Sequence, residues 1–162
     1  EQEIVPLAAF ARKYDLELRF IEFMPLDADD QWQRQQVLTG DEIKNILGTA
    51  FCELLPVSRD DASQPAVDFE FSDGQGRIGF INPLSQPFCH NCNRIRITAE
   101  GQLRNCLFST TEWDARELLR NEGTDGELET LLRSCVSGKN AAHGIDSDSF
   151  IKPQRAMYQI GG

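Results

Sequence analysis

Basic residues are scarce in this sequence. Its 162 residues include 16 Lys and Arg against 26 Asp and Glu, which gives a formal net charge of −10. A protein that binds a nucleic-acid polymer usually needs a basic field, so this balance argues against such a partner. A small polyanion held in a local basic pocket remains compatible with it.

Long apolar runs are also absent, since none reaches the length of a membrane span. The opening residues show no signal-peptide pattern, and we expect a cytoplasmic location without membrane contact. Hydrophobic residues make up 40 %, enough for the core of an ordinary domain. The chain starts at Glu1 inside a helical pattern, and we therefore expect it to be part of a longer protein.

The first 24 residues combine a helix with a strand. Apolar residues recur at helical spacing over 2–14, and 16–24 reads as a strand. Helix followed by strand is the repeating unit of α/β folds. This start is typical of the tail of a parallel barrel or sheet.

The remainder favours strands first and helices later. Thr39 and Glu42 form a capping box that predicts a helix to about Leu47, with Gly48 just past its end. Strands are predicted at 51–57, 67–72 and 77–82, and helices at about 109–121 and 124–138. We predict an α+β fold, with residues 1–48 as the end of the barrel and 49–162 as a strand-rich extension.

Three of the five cysteines lie in one window. Cys89 and Cys92 form a CxxC, and Cys106 follows after 13 intervening residues. In a reducing compartment such a grouping favours a metal over disulfides. The window 89–106 holds three arginines against one glutamate, so its formal charge is 3 − 1 = +2, against the trend of the chain.

Polar and apolar residues alternate strictly between Arg94 and Thr98. In a strand this pattern places Arg94, Arg96 and Thr98 on one face. A turn near Glu100 would return the chain as a partner strand. With the hairpin centred there, we predict that Cys106 lies opposite Arg94, on the face of the arginines.

The spacing of the cysteines leaves several kinds of site open. A four-iron cluster held by three thiolates keeps one iron open to a substrate. A Cys₃His zinc site with His90 or His143 is a second possibility, and spacing alone favours it. A thioredoxin-type pair is a third, but it lacks the following helix. A zinc-stabilised Cys₃ binding module without catalysis is therefore the alternative function.

Three sequence windows, 76–81, 87–98 and 101–108, resemble one family closely. The pattern CxxCNRxR followed by a distant cysteine is similar to the C-terminal region of GTP 3′,8-cyclase, also called molybdenum cofactor biosynthesis protein A, a radical S-adenosylmethionine enzyme. Residues 19–24 and 157–162, with the terminal double glycine, resemble the family as well. The resemblance extends from Arg19 to Gly162, and it implies that the start of the chain is the last helix–strand unit of an incomplete TIM-like α/β barrel, followed by a strand-rich extension.

The resemblance implies an assignment for each site residue. Cys89, Cys92 and Cys106 would hold a second [4Fe-4S] cluster whose open iron binds GTP. Arg94 and Arg96, with Ile95 between them, would contact GTP. Arg19 and Met24 would lie beside the substrate and S-adenosylmethionine, and Gly161 and Gly162 would reach into the active site as catalytic residues.

The implied reaction converts GTP to (8S)-3′,8-cyclo-7,8-dihydroguanosine 5′-triphosphate, which cyclic pyranopterin monophosphate synthase then consumes. One departure from the family matters: the radical-generating CxxxCxxC is absent, and no cysteine precedes Cys52. We therefore expect the N-terminal radical S-adenosylmethionine part as a missing partner, and no activity of this chain alone. Open strand edges would also favour a homodimer.

Overall fold

The computed structural model describes residues 1–27, 31–59, 61–148 and 150–160. The chain divides into two compact units. The first unit comprises Glu1–Met24 and Gln33–Cys92, and the second comprises Pro25–Trp32 and Asn93–Gly162. The predicted boundary between residues 48 and 49 marks the end of a barrel, and it stays a prediction. The compact units do not divide there: apart from the segment Pro25–Trp32, the first unit continues to Cys92.

The first unit is a four-stranded sheet with two helices. Its elements are α1 (Ile4–Lys13), β1 (Glu17–Ile21), α2 (Gly40–Ala50), β2 (Leu54–Pro56), β3 (Val67–Phe71) and β4 (Arg77–Ile81). The strand order is β1-β4-β3-β2. β1 pairs with β4 in parallel, and the other two pairings are antiparallel.

Both helices of the first unit bury an apolar face. Ile4 and Ala8 of α1, one turn apart, are buried together with Leu47 of α2. They pack in one core cluster with Ile78 and Phe80 of β4. These contacts fix the position of β1 and β4, the two parallel strands whose carboxyl ends precede the functional residues.

The second unit is a small antiparallel sheet with two helices. Its elements are β5 (Arg96–Ile97), β6 (Gln102–Arg104), β7 (Trp113–Asp114), α3 (Ala115–Arg120) and α4 (Asp125–Ser137). The strand order is β5-β6-β7, antiparallel throughout. Leu103, Ala115 and Cys135 form the buried cluster of this unit. Cys135 is fully buried, and burial raises the pKa of its thiol.

The mixed helix and strand content confirms the predicted α+β class. The capping box of Thr39 and Glu42 is present, with the Glu42 N–H donating to the threonine hydroxyl at 3.3 Å. The predicted end of that helix was wrong, because α2 runs through Gly48 to Ala50. Whether β1 belongs to a barrel stays a prediction.

The helix expected from residue 109 begins later. α3 starts at Ala115, where the side chain of Asp114 caps it by accepting from the Glu117 N–H at 2.7 Å. Glu112 takes no part in a cap, since its carboxylate accepts hydrogen bonds from Arg104 and Arg155. Across the described ranges, the structure contains no helix that is both long and apolar enough to cross a membrane.

Candidate metal centre and arginine hairpin

The CxxC segment, residues 89–92, forms a short 3₁₀ turn at the end of the first unit. The Cys92 N–H donates to the Cys89 carbonyl at 3.1 Å, and the Asn91 N–H donates to the Phe88 carbonyl at 3.3 Å. Both cysteines are half-buried, whereas His90 is exposed. This geometry places the two thiols on one tight turn of backbone, as ligands of a single metal group require.

The loop that leads to this turn is anchored at the end of β1. Glu22, directly after β1, is 4 % exposed, and its carboxylate accepts from the backbone N–H groups of Leu84 at 2.8 Å and Ser85 at 3.0 Å. The Ser85 hydroxyl also donates to it. The sequence identified Glu22 only as a carboxylate in an apolar strand, whereas the structure supplies the partners that its burial requires.

The arginine hairpin, residues 94–106, opens the second unit. Arg96 is paired with Arg104 and Ile97 with Leu103. Gly101, with φ +81°, forms the turn, and its N–H donates to the Thr98 carbonyl at 2.9 Å. The predicted hairpin is therefore confirmed.

The observed register is the one expected from a centre at residue 100. Continued two residues outward, it sets Arg94 opposite Cys106, just beyond the paired parts of β5 and β6. Burial alternates as predicted: Arg94 and Arg96 are half-buried, and Ile95 is exposed. The two arginines therefore share one face of the hairpin.

A second carboxylate, Glu112, is bound to the hairpin through Arg104. It accepts from Arg104 at 2.5 Å and from Arg155 at 2.7 and 3.2 Å. Arg155 also donates to Glu100 at the hairpin turn at 3.1 Å. This ion cluster of Arg104, Glu112, Arg155 and Glu100 links the hairpin to the C-terminal segment. No local pattern in the sequence indicated it, since Arg155 lies 43 residues from Glu112.

The cluster has a clear electrostatic consequence. Burial raises the pKa of Glu112, but hydrogen bonds from Arg155 and Arg104 outweigh it and hold this pKa below its ordinary value. The hydrogen bond to Glu112 raises the pKa of Arg155 in turn. Arg96 and Arg104 are directly opposed on the hairpin and repel each other. Glu112 reduces this repulsion because it neutralises Arg104.

The C-terminal segment is held within the second unit. Lys152 donates to Asp27 at 3.0 Å, and the Met157 N–H donates to the Leu26 carbonyl at 2.9 Å. Ile160 is fully buried. Gly161 and Gly162, expected to reach into an active site, lie outside the described residues.

Two further predicted site residues lie in the first unit. Arg19 is exposed on β1 and donates through Nε and Nη2 to Glu17 at 2.8 and 2.6 Å. On the sheet it is paired with Gly79 of β4, which is paired on its other side with Asp68. Met24, beyond the end of β1, is half-buried.

The cysteines carry thiols suited to a metal. All five lie in the described part of the chain, and none forms a disulfide. Cys89, Cys92 and Cys106 are half-buried, unlike the core residue Cys135. Among the described residues, no group of three or more His, Cys, Asp or Glu side chains is arranged to hold a metal ion. Convergence of the three cysteines on one group therefore stays a prediction.

Comparison with known proteins places the chain in a family. Residues 16–145 match Molybdenum Cofactor Synthesis C. A GTP 3′,8-cyclase from Rhodopirellula baltica is 47 % identical over 100 % of this chain and 46 % of its own length. Those of Streptomyces coelicolor and Rhodococcus opacus are 41 % and 45 % identical over 100 % and 90 % of this chain.

The chain spans less than half the length of these relatives, 48 % and 41 % of the latter two. The matches cover both compact units, including the CxxC segment and the arginine hairpin. They confirm the family that the sequence motifs resemble, and the chain belongs to the Molybdenum Cofactor Synthesis C family, with GTP 3′,8-cyclases among its relatives.

Proposed function

We propose that this chain is the GTP-binding, cluster-bearing part of a GTP 3′,8-cyclase in molybdenum cofactor biosynthesis. The full enzyme would convert GTP to (8S)-3′,8-cyclo-7,8-dihydroguanosine 5′-triphosphate. The observation that carries the proposal is the hairpin register, which aligns the arginine pair with the third cysteine of the motif. Relatives named as GTP 3′,8-cyclases support the reaction.

Cys89, Cys92 and Cys106 would hold a [4Fe-4S] cluster. The donor set fits, because the three side chains are thiols outside any disulfide and each is half-buried. When bound through three cysteines, such a cluster offers one iron coordination site to a substrate atom. The 3₁₀ turn Cys89–Asn91, with Cys92 as its C-cap, holds the two cysteines on one turn of backbone, as a shared metal group would need.

Arg94 and Arg96 would bind GTP. They share one face of the hairpin, and guanidinium groups suit phosphates because they donate two parallel hydrogen bonds. Glu112 neutralises Arg104, the cross-strand partner of Arg96, so the ion cluster balances its own charge and Arg94 and Arg96 keep theirs. The local positive charge near the cysteines thereby attracts a polyanion although the whole chain is acidic.

The remaining steps of the proposed reaction need groups beyond the three cysteines and the two arginines. An N-terminal radical S-adenosylmethionine part of the same protein would supply the radical that starts the reaction. Arg19, in the middle of β1, and Met24, beyond its carboxyl end, would lie beside S-adenosylmethionine and substrate, and Gly161 and Gly162 would complete the site. The chain alone would then be inactive, and cyclic pyranopterin monophosphate synthase would take the product of the full enzyme.

Metal and sulfide analysis of the full-length protein tests the cluster. After anaerobic reconstitution we expect about four irons for the sites on this chain beyond those of the N-terminal part, lost in Cys89→Ala. Stoichiometric zinc at Cys89, Cys92 and Cys106, with iron refused, would instead identify the zinc-stabilised module.

Titration with GTP tests the arginines in the reconstituted protein. Removing one charge-assisted contact costs about 1.5–3 kcal/mol, so Arg94→Ala and Arg96→Ala should each weaken GTP binding about 10- to 100-fold. Arg133→Ala is the matched control, because the Arg133 side chain is 76 % exposed on α4. Unchanged affinity in both hairpin variants would remove the assignment.

A further inference from the structure

Glu22 is a buried charge that the proposed chemistry does not use. Only 4 % of it is exposed. A carboxylate leaves water at a high free-energy cost unless hydrogen bonds replace its hydration. The partners that it finds therefore show which part of the fold its charge stabilises.

In the described part of the chain, the hydrogen-bond donors to the carboxylate come from one loop. The N–H groups of Leu84 and Ser85 donate to one oxygen at 2.8 and 3.0 Å, and the Ser85 hydroxyl donates to the other. The Glu22 N–H itself donates to the Ile81 carbonyl at 3.1 Å, which continues the parallel pairing of β1 with β4. Charge-assisted hydrogen bonds of this kind are about twice as strong as neutral ones.

The same loop is packed on its other side. The Gln86 N–H donates to the Asn82 carbonyl at 3.1 Å, which closes a turn over residues 82–86. Asn82 is 7 % exposed and lies so close to Gly40, the first residue of α2, that a Cβ there would be 2.4 Å from its Oδ1. The loop is therefore held between Glu22 and the start of α2.

Two residues, Pro87 and Phe88, separate this turn from Cys89, the first cysteine of the CxxC segment. We infer that Glu22 is a positioning residue for Cys89 and Cys92: its carboxylate fixes the loop that leads into the turn carrying both thiols. The inference rests on the proposed function, in which these two thiols bind a metal. It assigns Glu22 no contact with substrate or cluster.

The test uses the full-length protein with Glu22→Gln, which keeps the side-chain shape but removes the charge. Ser85→Ala removes only the hydroxyl contact, and Glu53→Gln, an exposed carboxylate in the same unit, is the control. The rate of alkylation of each cysteine by iodoacetamide is measured in metal-free, reduced protein by peptide mass spectrometry. Release of iron to a chelator is measured in reconstituted protein.

With Glu22→Gln we expect alkylation of Cys89 and Cys92, and release of iron, to be about tenfold faster. Lowering the free energy of local opening of the loop by about 1.4 kcal/mol makes that opening tenfold more frequent. Ser85→Ala should give a smaller increase of the same pattern, and Glu53→Gln none. Cys106, in the second unit, should keep its wild-type rate.

Two results would overturn the inference. One is a set of wild-type alkylation rates in Glu22→Gln. The other is an equal increase at Cys52, a half-buried cysteine of the first unit, because Glu22 would then stabilise that whole unit and not the loop. If the wild-type protein binds no iron at this segment, the proposed function fails, while the alkylation pattern still decides the role of Glu22.

Discussion

Replacing Glu112 by glutamine should destabilise the second unit while leaving its shape intact. The Glu112 carboxylate accepts from two arginines, and the Arg104 side chain is 3 % exposed. A glutamine offers one acceptor oxygen, and its amide group faces donors from Arg155. The Arg104 guanidinium would keep its bonds to the carbonyls of Leu107 and Ser109, but it would lose its counter-charge.

The magnitude follows from this burial. Removing one partner of a fully buried ion pair costs about 3–5 kcal/mol. The Glu112 side chain is 23 % exposed, and Arg155 is 25 % exposed, so solvent screens part of the interaction. We expect the free energy of unfolding to fall by about 2–3 kcal/mol. With a typical dependence of that free energy on urea concentration, the urea midpoint falls by about 1–2 M.

Tryptophan fluorescence during urea unfolding is a selective assay. Both tryptophans, Trp32 and Trp113, belong to the second unit. Glu129→Gln is the matched control, because Glu129 also contacts an arginine, at 2.7 Å, but the pair is exposed on α4 and its loss should barely move the midpoint. Equal midpoints for Glu112→Gln and the wild type would refute the reasoning.

Two more predictions use the same fluorescence assay. The pKa of Glu112 is lowered by folding, so its stabilisation is present above its unfolded pKa of about 4.3 and is lost as the pH falls through the folded value. The difference between wild type and Glu112→Gln should therefore shrink from about pH 5 to pH 3, and an undiminished difference at pH 3 would contradict this. Gly101→Ala should cost about 2–3 kcal/mol, since φ is +81° and the new Cβ would lie 2.6 Å from the Arg116 Cβ. Gly144→Ala, at φ +70° with open space around it, should cost only about 1 kcal/mol, and equal losses would show that the contact with Arg116 does not matter.

The sequence predicted the arginine hairpin because its determinants are local. A period of two between Arg94 and Thr98, followed by Gly101, specifies both the faces of β5 and the place of the turn. The register then follows from the centre of the turn, and the structure has the expected one at Arg96 and Ile97.

The buried carboxylate of Glu22 and the half-buried one of Glu112 could not be interpreted from the sequence in this way. Glu22 takes its partners from 62 and 63 residues away, and Glu112 takes one of its partners from 43 residues away. Local pattern even misled at Glu112, where Ser109 three residues earlier imitates a capping box. The Glu112 side chain instead forms ion pairs with Arg104 and Arg155, and α3 begins at Ala115.

In the proposed function, the parallel pairing of β1 with β4 would affect when the chain can bind its cluster. The Glu22 carboxylate contacts Leu84 across 62 residues, so a long loop must close before this contact forms. Such non-local contacts form late and slowly in folding. Cys89 and Cys92 are consequently fixed in position relative to the sheet only near the end of folding. Insertion of the proposed cluster would then be a late step in maturation, and until it occurred the thiols of the new chain would be open to oxidation.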